Sequence, residues 1–313
     1  MRGFRFRFAV VATLSLAGCA PSDEVENGEA STDVRLPLVM AVNEPLRALA
    51  ARLGGDRFDV RFPGPPDEDP AFWKPDAETL QSIQTADLIL LNGAGFARWT
   101  TQASLPFSRC VDTSVAFADR LIVADASVTH SHGPDGDHSH GETAFTTWID
   151  PSLLLEHARA VRTALVTLDP STKAEIDARF AALETEIGAL DAAALAIDSS
   201  RRGEPMLASH PVYQYLARRL DLDLRSVHFE PDVVPDDAGW AELDARLAER
   251  PVSPVKWMLW EGAPDPRTVA GLEARGVGVI VFDPCGAAVP ADGYLAAQRA
   301  NFARLVAAWS SSR

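Results

Sequence analysis

Four of the chain's seven histidines, His130, His132, His138 and His140, fall within eleven residues in the run THSHGPDGDHSHG, Thr129 to Gly141. The pattern His-x-His occurs twice. In an extended segment, neutral imidazoles at that spacing can turn toward one ion with help from a second segment, a chemistry that suits zinc. Asp135, Asp137 and Glu142 add carboxylates, and Gly133, Gly136 and Gly141 leave the backbone free to adapt. Ordering such a loop costs conformational entropy at every residue fixed. Three roles follow from the residues alone: direct ligation in a cleft, low-affinity collection of metal beside one, or a solvated loop with no metal role.

Three further candidates stand where apolar runs end. His210 lies between EPMLAS and PVYQYLARRL, a strand-to-helix turn of the kind where parallel sheets place ligands. Glu261 closes WMLW, and Asp283 closes VIVF ahead of Pro284. The bland readings are a helix-start histidine facing solvent and a plain Asp-Pro turn. Cys285 offers a thiolate that zinc favours, against a small buried residue or a disulfide partner. His157, inside the amphipathic LLLEHARAV, reads as a surface or core-edge histidine. His228, in RSVHFEPDVVP, follows a strand-like run and could approach the cleft, with structural use the better reading. A zinc hydrolase would need an open coordination position and a general base, such as Glu261 near His210. No HExxH or comparable signature occurs, and no enzyme is expected.

Positioning these residues requires a substantial core. At 313 residues and 47% hydrophobic composition, the chain can bury one and divide into two domains of ordinary size. A formal net charge of -15 and a pI near 4.9 repel a phosphate backbone and an anionic membrane surface, which argues against nucleic acid and for cations. The N-terminus carries three arginines, an apolar run from Phe8 to Ala17 and small residues before Cys19, the layout of a secretory signal. Leu16-Ala17-Gly18-Cys19 resembles the bacterial lipobox, with Cys19 the lipidated residue. The apolar run is shorter than the ~20 residues a membrane span needs.

Short apolar runs, LPLVMAV, ADLILLNG, VKWMLWEG and GVGVIVFDP, read as buried strands, and the amphipathic stretches 77–86, 151–165 and 211–220 between them read as helices. Their alternation predicts an α/β fold with mostly parallel sheets. Ile176, Phe180, Leu183, Ile187, Leu190 and Ala194 recur at steps of three and four, a helical stripe without proline, and Thr172 with Glu175 has capping-box spacing. The expected organisation is a signal over 1–19, a flexible tether over 20–33, an N-terminal α/β lobe over 34–168 with the histidine-rich loop at 129–141, a linking helix over 169–199 and a C-terminal α/β lobe over 200–313.

A lipobox, DEDPAFWKPDAETLQSIQTADLILLNGAGFARW, the histidine-rich loop, TTWIDPSLLLEHARAV, the long helix, LASHPVYQYLARRLDL, WMLWEGAPD, VIVFDPCG and a late YLAAQRANFARL follow one another over nearly all of the chain beyond Cys19. In that order they resemble the zinc and manganese solute-binding proteins of ABC transporters. The resemblance implies two α/β lobes joined by a rigid backbone helix, a divalent metal ion in the cleft between them, and delivery to an ABC permease of the inner membrane. It also implies a monomer held by lipid on the periplasmic or cell-surface side.

Carried over residue by residue, the family's third histidine falls on His210, its last carboxylate on Asp283 and its other acidic strand end on Glu261. The first histidine position, after Asp69-Pro70, holds Ala71, and the second, ahead of Trp148-Ile149-Asp150-Pro151, holds Thr146. Zinc takes about four donors at roughly 2.0 to 2.3 Å, so His210 and Asp283 need others to complete a shell. His138 and His140, a few residues ahead of Thr146, are candidates. Phe72 and Trp73 either line the cleft or pack in the core. Zn2+ is expected over Mn2+, because manganese takes more carboxylate and carbonyl oxygen. Affinity should fall as pH drops through the imidazole range near ~6.5. The alternative is a lobe pair that has lost its metal and binds another solute or a partner protein.

Overall fold

The computed structural model describes residues 35–66, 68–123, 130–131, 137–138, 143–196, 203–249, 256–287, 289 and 293–311. Cys19, the tether, His132 and His140 lie outside the described residues. In the first half, β1 (Leu38–Ala41), α1 (Glu44–Gly54), β2 (Asp59–Arg61), α2 (Ala77–Gln84), β3 (Leu88–Leu91), α3 (Trp99–Gln102) and β4 (Cys110–Asp112) alternate along the chain. Their strands form one parallel sheet in the order β2-β1-β3-β4. Within the histidine-rich segment, β5 (His130–Ser131) and β6 (Asp137–His138) pair antiparallel, with His130 opposite His138. Two long helices follow, α4 (Pro151–Leu168) and α5 (Lys173–Leu195). The second half runs β7 (Pro205–Ala208), α6 (Gln214–Leu220), β8 (Asp223–Ser226), α7 (Asp237–Ala248), β9 (Trp257–Trp260), α8 (Pro266–Glu273), β10 (Gly278–Val281) and α9 (Tyr294–Ser311). Its sheet is also parallel, in the order β10-β9-β7-β8.

The central strands are continuous apolar runs because helices cover both faces of a parallel sheet. β1 is buried at all four positions, as is β7. The edge strands β2 and β4 are three residues long and carry Asp59, Arg61 and Asp112, so neither has the apolar pattern that marks a strand in sequence. Both sheets reverse direction at their centres, between β1 and β3 and between β7 and β9. At such a point neighbouring strands send their connections to opposite faces, which opens a crevice at the carboxyl ends.

α5 is the element common to both halves. It packs on α4 and α1 beside the first sheet and on α9, which itself lies on β10 of the second. Ile176, Leu183, Ile187, Leu190 and Ala194 are buried along it, and Phe180 is half-buried beneath the Arg162 guanidinium. Each fully buried Leu or Ile contributes roughly 1.5 to 3 kcal/mol of apolar burial. The start of the helix departs from the expected capping box. Thr172 already has helical backbone angles and its hydroxyl donates to Asp169 O at 2.7 Å, so it cannot cap. Asp169 does so one turn earlier, accepting from Ser171 N at 3.0 Å and opening a 3-10 turn over Pro170–Thr172. Leu36–Arg313 form one compact unit, and no helix among the described residues is long and apolar enough to cross a membrane.

Candidate metal centre

The carboxyl ends of the second sheet carry a row of polar side chains. His210 follows β7, His228 follows β8, Glu261 follows β9 and Asp283 follows β10. The ladder continues past the strands, with Ser209 N donating to Leu259 O at 2.8 Å and Phe229 N to Ser209 O at 2.9 Å. Carrying the pairings Ala208↔Leu259 and Ala208↔Ser226 two residues on sets His210 level with both Glu261 and His228. Register mates in a sheet share a face. Accordingly, His210 Nδ1 lies 3.0 Å from Glu261 Oε1, and the His210 and His228 rings meet edge to face with centroids 6.1 Å apart. His210 is buried, at 5% exposure, while His228 is exposed. The strand-like run ahead of His228 is the sequence signal that allowed it to approach the cleft, and the register sets it level with His210.

Asp69 lies in the first half, between β2 and α2. Its Oδ1 accepts from Ala71 N at 2.8 Å, and its carbonyl accepts from Phe72 N and Trp73 N, which closes a tight turn. Protein atoms crowd its carboxylate, which still keeps an open face to solvent, so its desolvation is partial. That crowding raises its pKa against the pull of the Ala71 amide, and the Glu261 charge raises it further while His210 lowers it. Asp283 is also raised, by burial first; the Cys285 amide at 2.7 Å opposes the shift and Glu261 reinforces it. For His210, burial disfavours the proton, but the Glu261 hydrogen bond and the charges of Glu261 and Glu230 outweigh it, and the pKa stands above the ordinary value. Glu261 is thus the hub of three carboxylates and one imidazole. Like charges held together this way are relieved by a cation. Among the described residues, no three His, Cys, Asp or Glu side chains converge closely enough to form a metal shell as they stand.

The two empty family positions have other work. Ala71 is buried, and the Thr146 hydroxyl donates to Val212 O just beyond His210, forming a strut between the halves. Trp148 Nε1 donates to Pro284 O at 2.8 Å and Glu44 N to Gly286 O at 2.9 Å across the same seam. Phe72 packs edge-on against Phe145, and Trp73 against Trp99. Tyr213 donates to Phe282 O at 2.7 Å; burial, with the nearby Glu261 and Asp283 charges, pushes its pKa far up and keeps it neutral. Cys110 and Cys285 are free thiols, and burial raises both pKa values, opposing thiolate formation. His157 is in the core rather than at its edge, 1% exposed and remote in role from the row. The histidine-rich loop begins and ends at the paired Val123 and Thr143, from which Ala144 to Thr146 run into the seam.

Two parallel sheets, a long helix packed beside both and a polar row at a switch point define a two-lobed solute-binding protein. The family model described as zinc-uptake complex component A, periplasmic (ZnuA), matches residues 39–308, and the chain belongs to this family of metal-binding substrate-binding proteins of ABC transporters, which are not enzymes. The manganese ABC transporter substrate-binding lipoprotein scaA of Streptococcus gordonii is 22% identical over 185 residues, 59% of this chain and 58% of the relative. The fold matches Zn(II)-bound AdcA of Streptococcus pneumoniae with a TM-score of 0.73 at 17% identity, over 87% of this chain and 57% of that one. The chain thus spans under two thirds of the length of these two relatives. It also matches the metal-dependent lipoprotein YcdH of Bacillus subtilis, with a TM-score of 0.73 at 19% identity over 87% and 99% of the two chains. For FpvC of Pseudomonas aeruginosa in complex with Mn2+, the TM-score is 0.71 at 20% identity, over 89% and 100%.

Proposed function

We propose that this chain captures a divalent transition metal between its lobes, zinc in preference to manganese, and delivers it to an ABC-type import permease. The observation that carries the reading is the strand-end row itself, with His210 held 3.0 Å from Glu261 across the switch point between β7 and β9, and Asp283 ending the neighbouring strand β10. His210, Glu261 and Asp283 are the donors of the C-terminal lobe. Imidazole in the set favours zinc, whereas manganese takes more oxygen. His130, His132, His138 and His140 gather the ion ahead of the cleft. A lipid on Cys19 holds the chain, as a monomer, on the outer side of the membrane that bears the permease, and the acidic tether lets it reach its partner.

The test is metal content. The chain from Ala20 onward, dialysed against equal zinc and manganese and then against buffer, should retain about one zinc per molecule. Ala71 and Thr146 favour the other reading, a lobe pair that now binds a different solute. Retention of neither metal would establish that reading over this one.

A further inference from the structure

We propose that the cleft site of this chain is rebuilt around a residue the family does not use: His228 as its second imidazole, beside His210 and Glu261. The inference rests on the metal-binding reading above and goes beyond it by naming the shell. Ala71 has no donor side chain, and the Thr146 hydroxyl is committed to Val212 O, so the first lobe lacks the usual ligands at those positions. The sheet register supplies a substitute. His228 is level with His210 on the neighbouring strand, and its ring stands 6.1 Å from the His210 ring at 86°. Two imidazoles on one tetrahedral zinc, each with Zn–N of about 2.0 to 2.1 Å, have ring centroids about 5 Å apart. Closing the remaining gap of about 1 Å needs only a side-chain rotation of the exposed His228. The resulting donors are the two imidazoles of His210 and His228 and the carboxylate of Glu261.

The experiment is zinc competition against a chromophoric chelator, run on the full chain after Cys19, on H228A and on a chain lacking residues 129–141. Loss of an outer-shell partner costs 10–100-fold in metal affinity, so removal of a direct ligand should cost about 100-fold or more. H228A should show that loss while still unfolding in one cooperative transition. The loop deletion should bind zinc as tightly as the parent. Imidazole 15N shifts of the zinc-loaded parent should show both His210 and His228 ligated. An H228A chain that binds like the parent, or a loop deletion that abolishes binding, overturns the assignment while leaving the metal reading intact. A parent chain that binds no zinc overturns the metal reading and the assignment with it.

Discussion

His157 shows how much a single side chain can commit to structure. Its Nδ1 lies 2.7 Å from Thr113 Oγ1 and its Nε2 lies 2.8 Å from Thr147 Oγ1, with the ring edge-on to Phe117. Thr113 already donates its hydroxyl proton to Leu91 O at 2.9 Å, so it accepts from Nδ1–H, and Nε2 accepts from Thr147. Both nitrogens of the neutral ring are satisfied, and burial lowers the pKa to about 3. A base with a depressed folded pKa stabilises the fold above its unfolded value and loses that contribution as pH falls toward the folded one. Below about 6.5 the unfolded chain takes up a proton that the native chain refuses, at about 1.4 kcal/mol per pH unit. Urea unfolding at pH 6.5 and pH 5 should reveal about 2 kcal/mol of acid destabilisation from this residue, which H157Q lacks even though it is less stable throughout. An equal pH slope in both chains would contradict the account. Nothing in LLLEHARAV separates this buried histidine from one at the core edge, since the partners Thr113 and Thr147 lie on other segments. His210, Glu261 and Asp283, by contrast, are legible as candidates because each closes an apolar run.

At the scale of elements, the sequence reveals what is long or wholly buried. β1, β3, β9 and β10 are visible as apolar runs, and α5 as a stripe of buried positions. β2 and β4 are not, because an edge strand has one open side and tolerates charge. The cap of α5 was misplaced by three residues, since Asp169 and Thr172 both suit the role and only backbone angles distinguish them. If α5 is the strut that joins the halves, truncating its centre should be costly. Ile187, 1% exposed, is the place to test it. Ile187→Ala should lower the unfolding free energy by about 2 to 5 kcal/mol, measured by urea titration. A loss below about 1 kcal/mol would mean that the site collapses without consequence and that α5 does not fix the halves.

For the whole molecule, the proposed function asks two lobes joined by a hydrogen-bonded seam to hold an ion that neither surrounds alone. Trp148, Glu44 and Thr146 hold the seam through hydrogen bonds to backbone groups on its far side. Tyr215 adds another, donating to Ala144 O at 2.7 Å beside the root of the histidine-rich loop. Under the proposed function, the strand-end row with His210 at its centre is the place where a cation would relieve neighbouring carboxylates. The most direct test is the zinc affinity of the intact chain beside H210A, each titrated against a chromophoric chelator after both are shown to melt cooperatively. One tight site in the parent, weakened by about 100-fold or more in H210A, is the result predicted for a direct ligand. Equal zinc affinity in the two chains would contradict it, because the ion would then be held somewhere other than the switch point of the second sheet.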